Sequence, residues 1–178
     1  MMLNEQDINP EQYRLLSKQK NIIAQSIATK REVVNNHMPP VLQIHGFIAA
    51  IRTFATGIAR ANHLKINIDT GNYENQMNSN RKIIFYCIVN ELINNTIKHS
   101  GATNIDLFFE IKDDTFTFTY RHDGCGMDLK EAFYEKKKSL GLKNIYNKMK
   151  SINGKVRLSS APGKGFSIKL EAPAETDI

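Results

Sequence analysis

The run Asn90-Glu91-Leu92-Ile93-Asn94-Asn95-Thr96-Ile97-Lys98-His99-Ser100 sits near the middle of the chain. It continues an apolar pattern at Ile83, Ile84, Cys87, Ile88, Leu92 and Ile93, which predicts a helix over 82–99. On that helix Glu91, Asn95 and Lys98 (or His99) lie at i, i+4 and i+7 or i+8, so they share one face. An acid, an amide and a cation on one stripe can simply be a solvated helix edge. They also suit a nucleoside triphosphate with its metal, because Mg²⁺ takes hard oxygen ligands and bridges to phosphate oxygens.

Downstream, residues 104–111 and 115–121 alternate apolar with polar, placing Phe116, Phe118 and Tyr120 on one face. The break at Lys112-Asp113-Asp114 predicts a hairpin between them. An irregular segment over 123–139 contains glycines and the Lys136-Lys137-Lys138 run, which reads as solvated surface. A helix is predicted over 141–152, then strands over 156–160 and 166–171 joined across Ala161-Pro162-Gly163-Lys164. Upstream, Leu64, Ile66 and Ile68 predict a strand over 64–69, followed by a loop over 70–80. Before it, Ile44, Phe47, Ile48, Ile51, Phe54, Ala55 and Ile58 predict one amphipathic helix over 41–62. A leading helix over 11–37 carries Tyr13, Leu16, Lys20, Ile23, Ile27, Lys30 and Val34 at heptad spacing and stops at Met38-Pro39-Pro40. Hairpins with interposed helices imply an α+β two-layer sandwich rather than a doubly wound parallel sheet.

A chain of 178 residues has room for one well-buried domain. Its net charge of +6 is spread along the sequence. Without an aromatic–basic stripe, that charge does not argue for nucleic acid. No apolar run approaches the roughly 18–20 residues that span a bilayer, so no membrane contact by this segment is expected. The opening Met-Met-Leu-Asn-Glu-Gln-Asp has neither a basic nor an apolar region of a secretion signal. Two cysteines, Cys87 and Cys125, make no disulfide framework, and a cytoplasmic setting is expected.

Glycine placement sharpens the reading of the polar helix. Gly124-Cys125-Gly126 follows the strand ending near Tyr120, Ser139-Leu140-Gly141-Leu142 opens the next helix, and Gly163-Lys164-Gly165 joins the last strands. Glycines there let backbone approach a ligand, and a helix start offers free N–H groups to phosphate. In that order, 90–100 resembles the N box of the histidine-kinase catalytic and ATP-binding domain. Asp123-Gly124-Cys125-Gly126-Met127 resembles its G1 box, 139–145 its G2 box, and Gly163-Lys164-Gly165 its late glycine motif. Met38-Pro39-Pro40-Val41-Leu42 and Gly46-Phe47-Ile48-Ala49-Ala50 are similar to the lead-in of bacterial kinases related to nitrate sensors. The broader family is the GHKL, or Bergerat-fold, ATPases.

The resemblance implies ATP and Mg²⁺ as cofactors, with Asn95 as the Mg²⁺-chelating amide and Glu91 holding or polarising a metal-bound water. Lys98 or His99 would meet phosphate. Gly124 and Gly126, with Met127, would pass beside adenine; Gly141 and Leu142 would begin the helix near the phosphates; Gly163 and Gly165 would shape the far turn. The reaction implied is γ-phosphoryl transfer to a histidine and onward to a response regulator. The G1 glycines place the family's acidic residue at 122, where this chain has His122, with Asp123 one position later. The first G2 glycine is Ser139. No histidine outside the G1 segment is followed by an acidic residue, so the acceptor helix is expected to be absent. Residues 1–38 would then be the remnant of a dimerisation hairpin making a homodimer, 39–173 the ATP-binding domain and 174–178 a tail. The chain could be the cytoplasmic part of a membrane-bound sensor. The alternative is a degenerate, non-catalytic module acting by dimerisation or partner binding. A relative phosphorylating serine on an anti-sigma-factor antagonist fits the Pro-Pro lead-in poorly.

Overall fold

The computed structural model describes residues 40–129 and 140–174. The helix expected over 11–37 with its heptad seam, the Lys136–Lys138 run, Ser139 and residues 175–178 of the tail lie outside the described residues.

Two helices replace the single one expected over 41–62: α1 (Pro40–His45) and α2 (Phe47–Asn62). Gly46 separates them with φ +78° and ψ 175°, a backbone conformation that no α-helix contains. The break turns α1 away, and Ile44, expected on the apolar face, is 73% exposed. Phe47, Ile51 and Ala55 are buried as the spacing required. α2 ends at His63, which takes the left-handed conformation (φ 55°) and donates its N–H to the Ala59 carbonyl.

Strand β1 (Lys65–Asp69) is followed by α3 (Ser79–His99). The helix begins before the expected Lys82 because the Asn78 side chain caps it, accepting the Arg81 N–H at 2.9 Å. Its buried residues are Arg81, Phe85, Ile88, Val89, Leu92, Ile93 and Thr96. Ile83, Ile84 and Cys87, expected at the core, are only half-buried, because the helix presents the row containing Phe85 and Val89 instead. Strands β2 (Asn104–Lys112) and β3 (Thr115–His122) form the expected hairpin. Asp113 and Asp114, at φ 48° and 54°, supply the positive φ at both central positions that a tight hairpin turn demands. Helix α4 (Leu140–Ser151) leads into the hairpin of β4 (Lys155–Ser160) and β5 (Phe166–Pro173).

The five strands form one sheet in the order β1-β2-β3-β5-β4. Only β1 and β2 run parallel, since α3 provides the long crossover a parallel pair needs. One sheet face is buried at Ile105, Leu107 and Phe109, at Phe116, Phe118 and Tyr120, and at Ile168, Leu170 and Ala172. Phe47 of α2 and Phe85 of α3 meet it edge-on, with centroids 5.8 Å from Phe109 and 4.7 Å from Phe116 respectively. Each such side chain taken out of water contributes about 1.5–3 kcal/mol. This is the two-layer α+β sandwich expected.

The other face is polar apart from Phe108, which lies under the Arg121 guanidinium at 5.9 Å. Lys65, Asn67 and Asp69 are exposed on edge strand β1, as are Lys155, Arg157 and Ser159 on edge strand β4. No described helix is long and apolar enough to cross a membrane.

Candidate functional site

The C-terminal half of α3, the end of β3 with the loop after it, the start of α4 and Phe166 of β5 surround a cavity of about 590 Å³. That volume suits a small-molecule ligand. One end is aromatic and apolar. Tyr120, His122 and Phe166 meet there, and Leu92, Met127 and Leu142 are among the apolar residues lining the cavity. His122 is in phase with Phe116, Phe118 and Tyr120 along β3, so it points to the inner side of the sheet. Its ring lies parallel to that of its cross-strand partner Phe166, with centroids 5.5 Å apart and 10° between planes. Burial holds the imidazole below its ordinary pKa, against the opposing pull of neighbouring Asp123. At the cavity wall the Thr96 and Tyr120 hydroxyls share a 2.6 Å hydrogen bond, and burial raises the Tyr120 phenol well above its usual range.

The other end is polar. Asn95 Nδ2 donates to Glu91 Oε1 at 3.1 Å, which fixes the amide one helical turn above the carboxylate. Gly141 at the start of α4 comes so close that a Cβ there would stand 2.8 Å from Glu91 Oε1 and 2.9 Å from Asn95 Nδ2. Residue 141 of the 12-residue α4 therefore sits against an amide and a carboxylate.

Asp123 belongs elsewhere. Its carboxylate accepts the Thr103 N–H and hydroxyl, each at 2.8 Å, and the Asn104 N–H and Nδ2 at 2.9 and 2.6 Å. The Asn104 bonds, aided by those of Thr103, hold its pKa far below the carboxylate range. Asp123 thus pins the loop to the start of β2, and its side chain does not line the cavity.

The glycines serve the scaffold as much as the cavity. A Cβ on Gly124 would meet the Ser100 carbonyl oxygen at 2.5 Å, and Cys125 N–H donates to that oxygen at 2.8 Å. Gly126 (φ +65°) packs so tightly on the Ala161 and Gly165 carbonyls that no side chain fits. Gly126 also lines the cavity, and Gly124 does not. Gly163 N–H donates to the Cys125 carbonyl at 2.6 Å, and Gly165 packs against the His122 carbonyl, so both shape the loop from behind. Ser160 completes the clamp, accepting from Met127 N–H at 2.9 Å and donating to the Gly165 carbonyl at 2.7 Å.

Of the residues singled out from sequence, Asn95, His99, His122, Gly126, Met127, Gly141 and Leu142 line the cavity. Glu91 reaches it through Asn95, while Lys98, Asp123, Gly124, Gly163 and Gly165 stand outside the lining. Between Lys98 and His99, left open by the spacing, it is His99 that faces the cavity. The arrangement fits an ATP-sized ligand, with a flat aromatic surface at His122 and Phe166 for a base. The Asn95 and Glu91 oxygens are of the hard type Mg²⁺ takes. No group of three His, Cys, Asp or Glu side chains that could hold a metal occurs among the described residues, so these two oxygens would need phosphate oxygens to complete a cation's shell.

Residues 81–176 match the family of histidine kinase-, DNA gyrase B- and HSP90-like ATPases. The chain belongs to this family. Membership implies ATP as the nucleotide of the cavity. The chain is 26% identical over 145 residues to the sensor histidine kinase ComP of Bacillus subtilis, covering 82% of this chain and 19% of ComP. It is 29% identical over 92 residues to the B. subtilis histidine-protein kinase/phosphatase DegS, covering 52% of this chain and 24% of DegS. The chain thus spans a quarter or less of these relatives. Its fold is that of the catalytic domain of the histidine kinase ThkA, with TM-score 0.59 and 15% identity over 74% of this chain and 93% of ThkA's. The Acinetobacter baumannii histidine kinase AdeS gives TM-score 0.60 and 12% identity over 94% of this chain and 86% of its own. The Bergerat-type sandwich read from the motifs is borne out.

Leu92, Thr96, Ser100, Tyr120, Cys125, Asp128 and Phe166 also line the ATPase domain's cavity and were not singled out as site residues. For Leu92, Thr96 and Ser100 the signal was present, since they share the α3 face of Asn95 and His99. Phe166 gave none, because its place beside His122 depends on the pairing of β3 with β5.

Proposed function

We propose that this ATPase domain is the catalytic domain of a two-component sensor histidine kinase, moving the γ-phosphoryl group of Mg·ATP to a histidine and so serving a response regulator. One observation carries the reading: the Glu91–Asn95 pair and the start of α4 close the polar end of a cavity whose other end is aromatic. In this reading the base lies against His122 and Phe166 with its 6-substituent toward residue 122. The triphosphate runs toward Gly141 and His99.

Glu91 acts by positioning. By accepting from Asn95 Nδ2 it leaves the amide oxygen as the free acceptor for a cation. Mg²⁺, when bound, supplies charge neutralisation at the phosphoryl oxygens. The N–H groups opening α4 bind and orient phosphate, and His99 adds a donor beside it. Leu92, Leu142 and Met127 give the cavity apolar lining against which a base can bind. Residues 39–173 form the catalytic unit, and residues 1–38 supply a helix that pairs two copies. The setting is the cytoplasm, the kinase relatives ComP and DegS supporting the response regulator as partner.

His122, standing where the family pattern asks for an acid, favours a second reading: a non-catalytic module that works by dimerisation or partner binding. Calorimetric titration with ATP and Mg²⁺ separates the two. Saturable binding in the micromolar to millimolar range is expected; a flat titration would overturn the kinase reading and favour the second.

A further inference from the structure

The His122 ring is held in one orientation by its own loop. Nδ1 accepts the Gly124 backbone N–H at 3.1 Å, and the parallel contact with Phe166 sets the ring plane. A half-turn about Cβ–Cγ would put a ring carbon against that N–H and leave it unpaired. Gly124 cannot follow the ring, because it is packed on Ser100 and its neighbour Asp123 is bound to Thr103 and Asn104. A ring nitrogen that accepts carries no proton, so in the neutral imidazole the proton is on Nε2. Burial, the main influence on this group, keeps the ring neutral near pH 7. Among the described residues nothing accepts from Nε2, so residue 122 presents an N–H donor at the aromatic end of the cavity.

That donor has one match on an adenine held as described above. The sugar is joined at N9 of the five-membered ring, and the triphosphate runs toward Gly141 and His99. The edge that reaches residue 122 is therefore the far edge of the six-membered ring. It carries the 6-amino group, which donates, and N1, which accepts; N3 and N7 lie nearer the sugar. The 6-amino group needs an acceptor of its own, and Asp128 is the acidic side chain lining the same cavity. A carboxylate accepts several hydrogen bonds, so a partner it already holds does not use it up.

The geometry points to His122 as a base-reading residue that donates from Nε2 to N1 of adenine. ATP satisfies the donor, whereas a purine protonated at N1, as in ITP or GTP, sets donor against donor there. The inference rests on the nucleotide reading above and deepens it by naming the atom recognised. It leaves the phosphate end unchanged.

The test is isothermal titration of the full chain with ATP, 1-deaza-ATP and 7-deaza-ATP, each with Mg²⁺. The two analogues keep the 6-amino group and replace one ring acceptor by C–H. 1-Deaza-ATP is expected to bind about tenfold more weakly than ATP, the scale of one hydrogen bond lost with its donor left unpaired, and 7-deaza-ATP as tightly as ATP. His122→Phe, which keeps an aromatic ring beside Phe166 but has no donor, should bring ATP and 1-deaza-ATP to equal affinity. A preference for ATP that survives in this variant would assign N1 to another group and overturn the inference. Equal binding of ATP and 1-deaza-ATP by the native protein, or a loss with 7-deaza-ATP as large as that with 1-deaza-ATP, would overturn it while leaving the nucleotide reading intact. Binding of none of the three would overturn both. A readout independent of any variant is the tautomer: two-bond ¹H–¹⁵N correlations should show His122 protonated at Nε2. A proton on Nδ1 alone would overturn the inference whatever the affinities.

Discussion

Replacing Asp123 by Asn separates a structural carboxylate from a base-reading one. In the native loop the two carboxylate oxygens accept from four donors on Thr103 and Asn104, at 2.6–2.9 Å. An amide keeps one acceptor oxygen but turns a donor toward the others, so at least one donor on residues 103–104 loses its partner. Hydrogen bonds to a charged group are worth about 1.5–3 kcal/mol each when protected. Asp123 is exposed, and water competes for every one of them, so the summed loss is about 1–2 kcal/mol. For a chain of this size that lowers Tm by about 3–6 °C. The pH dependence has a definite sign. The folded pKa lies below the unfolded value of about 3.9, so the stabilisation is complete above that value and fades as pH falls towards the folded one. Melting curves should therefore differ between parent and variant by a constant amount from pH 5 to 8 and converge only below about pH 4. Well below Tm, nucleotide affinity should be unchanged, because the side chain does not line the cavity. An unchanged Tm accompanied by lost nucleotide binding would refute this reasoning and make Asp123 the residue that reads the base.

Gly126→Ala has to place a Cβ against the Ala161 and Gly165 carbonyls at φ +65°, so it should cost at least about 2 kcal/mol and loosen nucleotide binding; a melting curve like the parent's would contradict this. Tyr120→Phe removes the partner of the buried Thr96 hydroxyl and should lower stability by about 1–2 kcal/mol in urea titrations, with the m-value unchanged. Asn95→Leu should leave the melting temperature close to the parent's and abolish Mg²⁺-dependent nucleotide binding, whereas Asn95→Asp should retain the fold and alter the Mg²⁺ dependence. Mg²⁺-dependent binding by Asn95→Leu at parental affinity would remove Asn95 from the cation site.

Strand phase made much of the site legible in advance. The alternation of Phe116, Phe118 and Tyr120 carries on to residue 122, so a side chain there turns inward and one at 123 turns out. The identity of the cavity-facing residue was thus already present in a period of two. The Glu91–Asn95 pairing followed from a spacing of four. Other features needed contacts that no local pattern encodes. Gly46 carried a helix-breaking φ inside a stretch whose apolar spacing was continuous, and the pattern outweighed the glycine. Asn78 was a usable cap signal, three residues before Arg81, hidden in an Asn-rich loop. The face of α3 was misjudged because Arg81, Phe85 and Val89 go inward where Ile83, Ile84 and Cys87 had the better apolar run. The packing of Gly124 on Ser100 and of Gly126 on Ala161 is a further constraint on these glycines, fixed only by the tertiary fold.

The charged rims of the sheet bear on how the domain behaves when crowded. A sheet normally grows by recruiting a further strand along its open border, and the recruited strand must set its own side chains beside those already there. At one border it would meet Lys65 and Asp69, and at the other Lys155 and Arg157. The second border carries more: Arg157 reaches across to Glu171 at 3.2 Å, and Lys169 joins the same carboxylate at 2.8 Å. Stacking identical copies there would set like charges in register, a repulsion that salt screens but does not remove. The native domain should accordingly stay dispersed at concentrations where a blunter sheet would polymerise, and its clumping on heating should follow unfolding rather than precede it.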